Sequence, residues 1–425
     1  MKTGKGTCGW AQMVAEPAAL AVDALRTQRA RSALAIAGIV IGIVTVVLVA
    51  SVLANVRSQI ALLFRDLGTE NVFAFHFSGD PYVTPNEKEV RRKPLRLEFI
   101  PEIKRLGSAV RDVGAEVIVP TSVGGQALVA RAGGNESDTV LVEGASPALF
   151  DIIGAEFAKG RPFTELEDRR GAKVAVVGAS LAKALFGSAS SLGRTLTLAG
   201  DTYTVVGELE KRRGGFFGEN RQDSVLNLPA GTVRNRFGEP ERVVLYIRSQ
   251  PGQRDECFRQ SEAILRLLRK LPPTTENDFS LSTADQIIAT FDGLSARIGL
   301  VTVALAGVSL LIGAIGIANV MFISVTERTR EIGLRLAGGA QRRQVLIQFL
   351  LEAAFLSGIG GVAGVGAALG IGLLLTLVIS GFSAVAPLWA VVAGLAASVS
   401  VGIVAGYWPA RQAARLDPVE ALRHE

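Results

Sequence analysis

Residues able to do covalent or acid–base chemistry are scarce in this chain. His76 and His424 are its only histidines and Cys8 and Cys257 its only cysteines in 425 residues. Imidazole catalysis and His-bound metal centres are therefore nearly excluded, and neither Cys-x-x-Cys nor His-Glu-x-x-His occurs. No Gly-x-x-x-x-Gly-Lys-[Ser/Thr] run is present to cradle a phosphate. Gly358, Gly360 and Ala363 match Gly-x-Gly-x-x-Ala, but within unbroken apolar sequence rather than at a strand-to-helix turn, so they read as helix packing. The expectation is a chain with no catalytic residue, metal or cofactor of its own. What remains is charge in unusual places. Glu327, Arg328, Arg330, Glu331 and Arg335 crowd around Ile332, while Glu352 and Asn319 stand in apolar surroundings.

The elements that position those charges follow from segregation. The chain is 49% apolar yet 20% charged. No Asp, Glu, Lys or Arg occurs from Ser32 to Asn55, from Ile298 to Thr326, or from Ala353 to Ala410. A spanning helix needs about 20 apolar residues. The first two stretches hold one span each, and the third holds two with a turn near Ser380 to Pro387. Buried core helices rarely run this long without charge. The first apolar run starts too far in, and is too long, for a cleavable signal peptide, so it reads as an anchor. The expected division is an N-terminal amphipathic segment 1–31, spans at 32–55, 298–325, 344–379 and 388–408, an outer domain 56–297, a loop 326–343 and a tail 409–425.

Orientation follows from the short loops, because Lys and Arg in them stay cytoplasmic. Lys2, Lys5, Arg26, Arg29 and Arg31 precede span 1, Arg328, Arg330, Arg335, Arg342 and Arg343 lie between spans 2 and 3, and Arg411, Arg415 and Arg423 follow span 4. All three groups fall on one side, so both termini are expected in the cytoplasm and residues 56–297 outside. Cys8 and Cys257 then lie across the membrane from each other. The net charge of +6 has this topological meaning and does not indicate nucleic acid.

Spans 1 and 2 carry apolar heptad spacing beyond the membrane: Leu53, Val56, Ile60 and Leu63 on one, and Ile287, Phe291 and Leu294 on the other. This is either the seam of two helices packed as an outward stalk or amphipathic capping of two unrelated helices. Above it the sequence reads as mixed α and β. Strands are expected at Glu116 to Pro120, Ala127 to Arg131, Lys173 to Gly178 and Arg242 to Arg248, with a hairpin over Thr195 to Gly207 turning at Gly200-Asp201. Helices are expected at Ser180 to Phe186 and Glu256 to Leu271, the latter with Phe258, Leu265 and Leu268 on one face. Lys211 to Asp223 is Gly-rich and charged and reads as a mobile loop. Two lobes are expected, one inserted at about 140–237. Glycines in the spans point to close helix packing or to composition bias. Glu352 reads as bonded to a neighbouring helix or loop near the cytoplasmic face, or as a relay. The charged segment after span 2 is either a short amphipathic helix that docks a cytosolic partner, stopped by Gly338-Gly339, or a plain basic loop.

The motifs resemble the MacB-type, FtsX-like ABC transporter permeases. Thr326-Glu-Arg-Thr-Arg-Glu-Ile-Gly-Leu-Arg335, with Gly339-Ala340 after it, is similar to that family's signature. Gly38-Ile-Val-Ile-Gly42 resembles its first-span entry. Glu143-Gly-Ala-Ser-Pro-Ala-Leu-Phe150, Gly160-Arg-Pro-Phe163 and Ala184-Leu-Phe-Gly187 resemble its outer domain, and Pro409 to Arg423 its C-terminal signature. The resemblance implies an α-helical inner-membrane protein with four transmembrane helices and a mixed α/β, two-lobed extracytoplasmic domain on a helical stalk. It also implies a homodimer, or a heterodimer with a related permease, working with a separate cytosolic ABC ATPase that carries the ATP and Mg. ATP-driven motion would pass to the outer domain by mechanotransmission, with room for a periplasmic adaptor and an outer-membrane channel. Glu327, Arg328, Arg330, Glu331, Ile332 and Arg335 would be the coupling helix, with Ile332 as its apolar anchor. Export or extraction of a drug, peptide, lipid or lipoprotein is the expected function. The alternative is a non-transporting permease that signals to a cell-envelope partner such as a wall hydrolase.

Overall fold

The computed structural model describes residues 29–423 except 67, 69, 78–86, 88, 124–125, 212–220 and 379–384. Most of segment 1–31, with Cys8, lies outside these residues, as do His424, most of the Lys211 to Asp223 loop and much of the Ser380 to Pro387 turn. The chain divides into two compact units, Arg57–Phe291 and the sequence on either side of it.

Among the described residues, four helices are long and apolar enough to cross a membrane. They are α1 (Arg29–Asp66), α2 (Ala284–Glu327), α4 (Arg342–Val378) and α5 (Leu388–Ala414), with short α3 (Thr329–Ala337) and α6 (Pro418–Arg423) between and after them. At 38 and 44 residues, α1 and α2 far exceed the roughly 20 that a bilayer requires. Their ends beyond the charge-free stretches, past Arg57 and before Arg297, form the helical stalk.

One stripe of α1 organises the membrane unit. Ala35, Ile39, Ile43 and Val47, four apart, are all buried. Glycines let the other helices reach this stripe. A Cβ added at Gly38 would stand 2.8 Å from the Gly313 backbone nitrogen, one at Gly360 3.3 Å from Ile39, and one at Gly364 3.0 Å from Ile43. In lipid, where apolar burial supplies little drive, such close backbone approach is what holds helices together. Gly358 and Gly360, which mimic a dinucleotide motif, sit mid-helix in α4. Ser357 and Ser398 are buried between α4 and α5, and each satisfies its hydroxyl on its own helix, at Ala354 O and Leu395 O. Gly307, Gly366 and Gly370 meet nothing within 4 Å among the described residues.

The outer unit is built on one sheet. In chain order its strands are β1 (Asn71–Phe75), β2 (Val110–Ile118), β3 (Ser122–Val123), β4 (Gln126–Ala127), β5 (Val129–Ala132), β6 (Asn135–Thr139), β7 (Leu141–Ala145), β8 (Phe157–Gly160), β9 (Val174–Val177), β10 (Thr195–Leu198), β11 (Asp201–Leu209), β12 (Val225–Pro229), β13 (Val243–Ser249) and β14 (Ser280–Thr283). Twelve strands run in the order β14-β1-β13-β2-β7-β12-β9-β11-β10-β5-β6, with β8 on β11; β3 and β4 pair apart from it. Strands from the two ends of the segment (β1, β2, β13, β14) thus form one half, and those from its middle the other. The halves join where β2 meets β7, with Val117 opposite Gly144. The added Cβ of Gly144 would stand 3.0 Å from Val117, so a larger residue would wedge this joint. The family-like motifs pack here too: Phe150 and Phe163 stack edge to face at 5.4 Å.

Sequence and structure agree closely for β9, β13 and the helix Ala179–Phe186. The hairpin turns one residue earlier than expected, at Ala199-Gly200, with φ of +50° and +86°. Two positive φ values are what a tight two-residue hairpin needs. The stalk spacing meets a limit at Leu294, which is 54% exposed. Heptad spacing defines an apolar stripe but not what covers it, and nothing among the described residues covers that position. Val56, Ile60 and Phe291 are half-buried, and Ile287 packs on the outer-domain cluster around Phe73 and Phe75. The side chain of Leu63 lies outside the described residues.

His76 is buried, and its Nδ1 has no hydrogen-bond partner. Burial first, then the charges of Arg269, Arg242 and Arg92, pull its pKa from 6.5 down to about 4, against a smaller opposing effect of Glu89. The folded state holds this histidine neutral while the unfolded chain protonates it near pH 6.5. Its stabilising contribution is therefore full above that pH and is lost as the pH falls toward 4. Between pH 6.5 and about pH 5 the outer domain should lose about 2 kcal/mol. His76→Gln should flatten that part of the profile, read as melting temperature against pH on the full chain. An unchanged slope in the variant contradicts the assignment.

Candidate functional site: the coupling helix and its seat

The charged segment after span 2 folds as α3, almost continuous with α2. The break is one residue, Arg328. Thr329 turns its hydroxyl back to Val325 O (3.0 Å) and Thr326 O (2.9 Å), and Thr326 does the same to Ile323 O (2.8 Å). The last carbonyls of a helix lack intrahelical partners, and these hydroxyls supply them at the membrane border. Past Ala337 the chain leaves the helix through Gly339, whose φ of +93° is open to glycine and strained for most residues.

α3 has two sides of different character. On the inner side, Ile332 is 4% exposed and belongs to the buried cluster of Val325, Val345, Phe349, Ala410 and Ala413. Gly333 beside it is also buried: a Cβ there would come within 2.7 Å of the Ala421 Cβ in α6. α6 is set by Asp417, whose Oδ1 accepts from Val419 N at 2.9 Å, with Pro418 at its first position. The C-terminal signature thus braces α3. On the outer side, Glu327, Arg330, Glu331 and Leu334 are exposed, Leu334 by 56%.

This corrects one expectation. Ile332 holds α3 onto its own bundle and is not available as an anchor for another protein. The outward apolar residue is Leu334, two residues on and so roughly 200° around the helix. The polar residues divide as well. Arg328 reaches inward to Glu352, with Nη1 3.3 Å from Oε1. Glu352 is 2% exposed, ten residues into α4, and its Oε2 has no hydrogen-bond partner. Arg335 donates to Glu331 Oε1 (2.6 Å) and to Gln348 Oε1 (2.8 Å), tying α3 to α4. Of the six residues expected on the docking face, the structure therefore leaves Glu327, Arg330 and Glu331 outward, commits Arg328 and Ile332 inward, and splits Arg335 between a surface ion pair and α4. Asn319 is exposed on α2, at a distance from this group along the helix.

Sequence reasoning missed Gly333, Ala421 and Gln348. Gly333 had a signal, since glycine within a helix costs about 1 kcal/mol relative to alanine and so asks for a packing reason. Gln348 and Ala421 had none, because their roles depend on a fold that brings distant segments together.

Comparison with known proteins fits this arrangement. The family model of the MacB-like periplasmic core domain matches residues 32–261, more than half of the chain. The chain belongs to the MacB-like periplasmic core domain family. The model of the FtsX-like permease C-terminal region matches residues 303–418, which include α3, α4 and α5 but end at the first residue of α6. Among relatives, the macrolide export ATP-binding/permease protein MacB 2 of Aeromonas hydrophila is 31% identical over 96% of this chain and 61% of its own length. The pyoverdine export ATP-binding/permease protein PvdT of Pseudomonas syringae pv. tomato is 30% identical over the full chain and 62% of its own length. The MacB-like chain described here thus spans about three fifths of the length of these relatives. The crystal structure of the periplasmic region of MacB from Actinobacillus actinomycetemcomitans is 20% identical, with a TM-score of 0.43 over 54% of this chain and 95% of that one. Beside that domain, the chain has four helices long and apolar enough to cross a membrane among its described residues, two of which run on as the helical stalk.

The Arg328–Glu352 pair is mostly out of water, and removing one partner of a buried pair leaves the other uncompensated, at a cost of about 3–5 kcal/mol. Arg328→Gln alone and Glu352→Gln alone should each lower the melting temperature of the purified chain, and the double variant should recover part of the loss. The coupling energy in that cycle should fall at about 1–3 kcal/mol. Additive losses would mean that the two charges do not support each other.

Proposed function

We propose that this permease works with an ABC ATPase in a separate cytosolic subunit and passes the motion of ATP hydrolysis to its outer domain, driving export or extraction of a substrate across the cell envelope. The permease acts as a homodimer or with a related permease. Both termini and α3 face the cytoplasm, while residues 56–297 stand outside. ATP and Mg are held on the ATPase, and a periplasmic adaptor and outer-membrane channel fit the export reading.

One observation carries this reading: α3 presents a charged stripe with an exposed leucine outward while its other side is fixed into the membrane bundle. A helix seated in this way transfers a push from a docked partner to α2 and α4 without yielding locally, and α2 is the helix that continues into the stalk. The names of the relatives, macrolide export and pyoverdine export, favour export over signalling. The basic residues around α3, α4 and the tail support the cytoplasmic placement.

Docking should depend on the outer stripe and not on Ile332. Burying a leucine contributes about 1.5–3 kcal/mol, and a tenfold change in affinity is about 1.4 kcal/mol. Leu334→Ala with Arg330→Ala should therefore weaken co-purification of an ABC ATPase by at least about tenfold while leaving the melting temperature nearly unchanged. Ile332→Ala should do the reverse, lowering the melting temperature first. Full ATPase capture by the Leu334/Arg330 variant sinks the docking assignment.

A further inference from the structure

Span 4 ends in a stripe that the coupling reading does not use. Val404, Trp408, Arg411 and Arg415 are all exposed, Trp408 by 68%. At roughly 100° per residue they fall within one quarter of the helix surface, rising from the membrane interior to its border. Val404 offers contact for an acyl chain, and Trp408 is the ring type that settles at the membrane–water interface. Arg411 and Arg415 follow one and two turns further out. Tyr407, also exposed, widens the aromatic edge.

A second pair of cations stands at the same depth. Val345 and Phe349 of α4 share a buried cluster with Ala410, Ala413 and Ala414 of α5. α4 and α5 run antiparallel, with Gly402 against Ser357 and Gly406 against Ala353, so Arg342 and Arg343, exposed at the start of α4, lie near the depth of Arg411 and Arg415. None of these four arginines has an acidic partner within ion-pair distance among the described residues. The nearby carboxylates are occupied: Glu352 faces Arg328, Glu331 faces Arg335, and Asp417 caps α6. Four exposed arginines at the end of two spans thus have no counter-charge among the described residues.

We infer that the Trp408–Arg411–Arg415 stripe is a binding site for the phosphate headgroup of an anionic phospholipid, with Arg342 and Arg343 adding positive charge at the same depth on α4. The continuity of the stripe with the lipid-facing surface of α5 selects a lipid over a soluble anion or a protein, because one ligand then covers Val404, Trp408 and the arginines together. Guanidinium groups suit the headgroup, since their planar donors fit phosphate oxygens. The site rests on α5 spanning the membrane and not on the direction in which it does so. Such a lipid would fix the end of α5, and through Ala413 and Ala414 the cluster that seats α3.

The test uses the purified full-length chain in detergent, titrated with mixed micelles of dioleoyl-phosphatidylglycerol or dioleoyl-phosphatidylcholine, with bound lipid counted by native mass spectrometry. The wild type should retain phosphatidylglycerol in preference. Each lost cation should weaken retention about fivefold, so Arg411→Gln with Arg415→Gln should weaken it about thirtyfold. Arg411→Lys with Arg415→Lys should restore most of it. Lys183→Gln with Arg194→Gln, exposed charges of the outer domain, should change nothing. Equal retention of the two lipids by the wild type, which is readable whether or not the variants fold, overturns the proposal. So does an unchanged preference in the glutamine variant, or displacement of the lipid by inorganic phosphate at the same concentration.

Discussion

A bilayer excludes charge, and every other feature of this protein is arranged around that exclusion. Three stretches without Asp, Glu, Lys or Arg become four spanning helices, and the charge displaced from them collects in the outer domain and in the short segments at the other border. Among the described residues, the one Asp, Glu, Lys or Arg buried in the charge-free stretches or their flanks is Glu352, and it is answered by Arg328 from the first residue beyond α2. That exception marks where the membrane bundle grips α3.

The grip is built from three kinds of interaction that act on one face of α3. Ile332 fills the apolar cluster under the helix, Gly333 lets α6 approach closely, and Arg328 and Arg335 reach Glu352 and Gln348 on α4. The apolar contact and the near-backbone contact set position, while the polar pairs set orientation. The surface pair Arg335–Glu331 adds little energy by itself, on the order of 0.3–0.5 kcal/mol for such a spacing. The opposite face is thereby left exposed.

Much of this was legible in the sequence. Gaps in charge revealed the spans because a single lysine or glutamate in lipid is costly wherever the helix packs. The valine-rich apolar run Val174, Ala175, Val176, Val177 revealed a buried strand because valine's β-branch favours strands. Orientation within α3 was harder. Ile332, Leu334 and Leu336 alternate along a helix, so local pattern gives both faces an apolar residue, and only the packed bundle decides that Ile332 points in. Leu294 failed for a related reason, since spacing names a stripe but not its cover. The arginines of span 4 were read for topology, and their shared face with Trp408 emerged only when the helix was in place.

The central claim is that one chain sets the outer domain and the coupling helix on opposite sides of the membrane. It is tested most directly by cysteine accessibility in intact cells. Single cysteines at Gly215, in the outer segment, and at Arg343, at the start of α4, are introduced into a chain with Cys8 and Cys257 replaced by serine, and are challenged with a membrane-impermeant maleimide. Once the outer membrane is opened, the cysteine at 215 should label and the one at 343 should label only after the inner membrane is lysed. Labelling of 343 in cells whose inner membrane is intact, or protection of 215, would contradict the account.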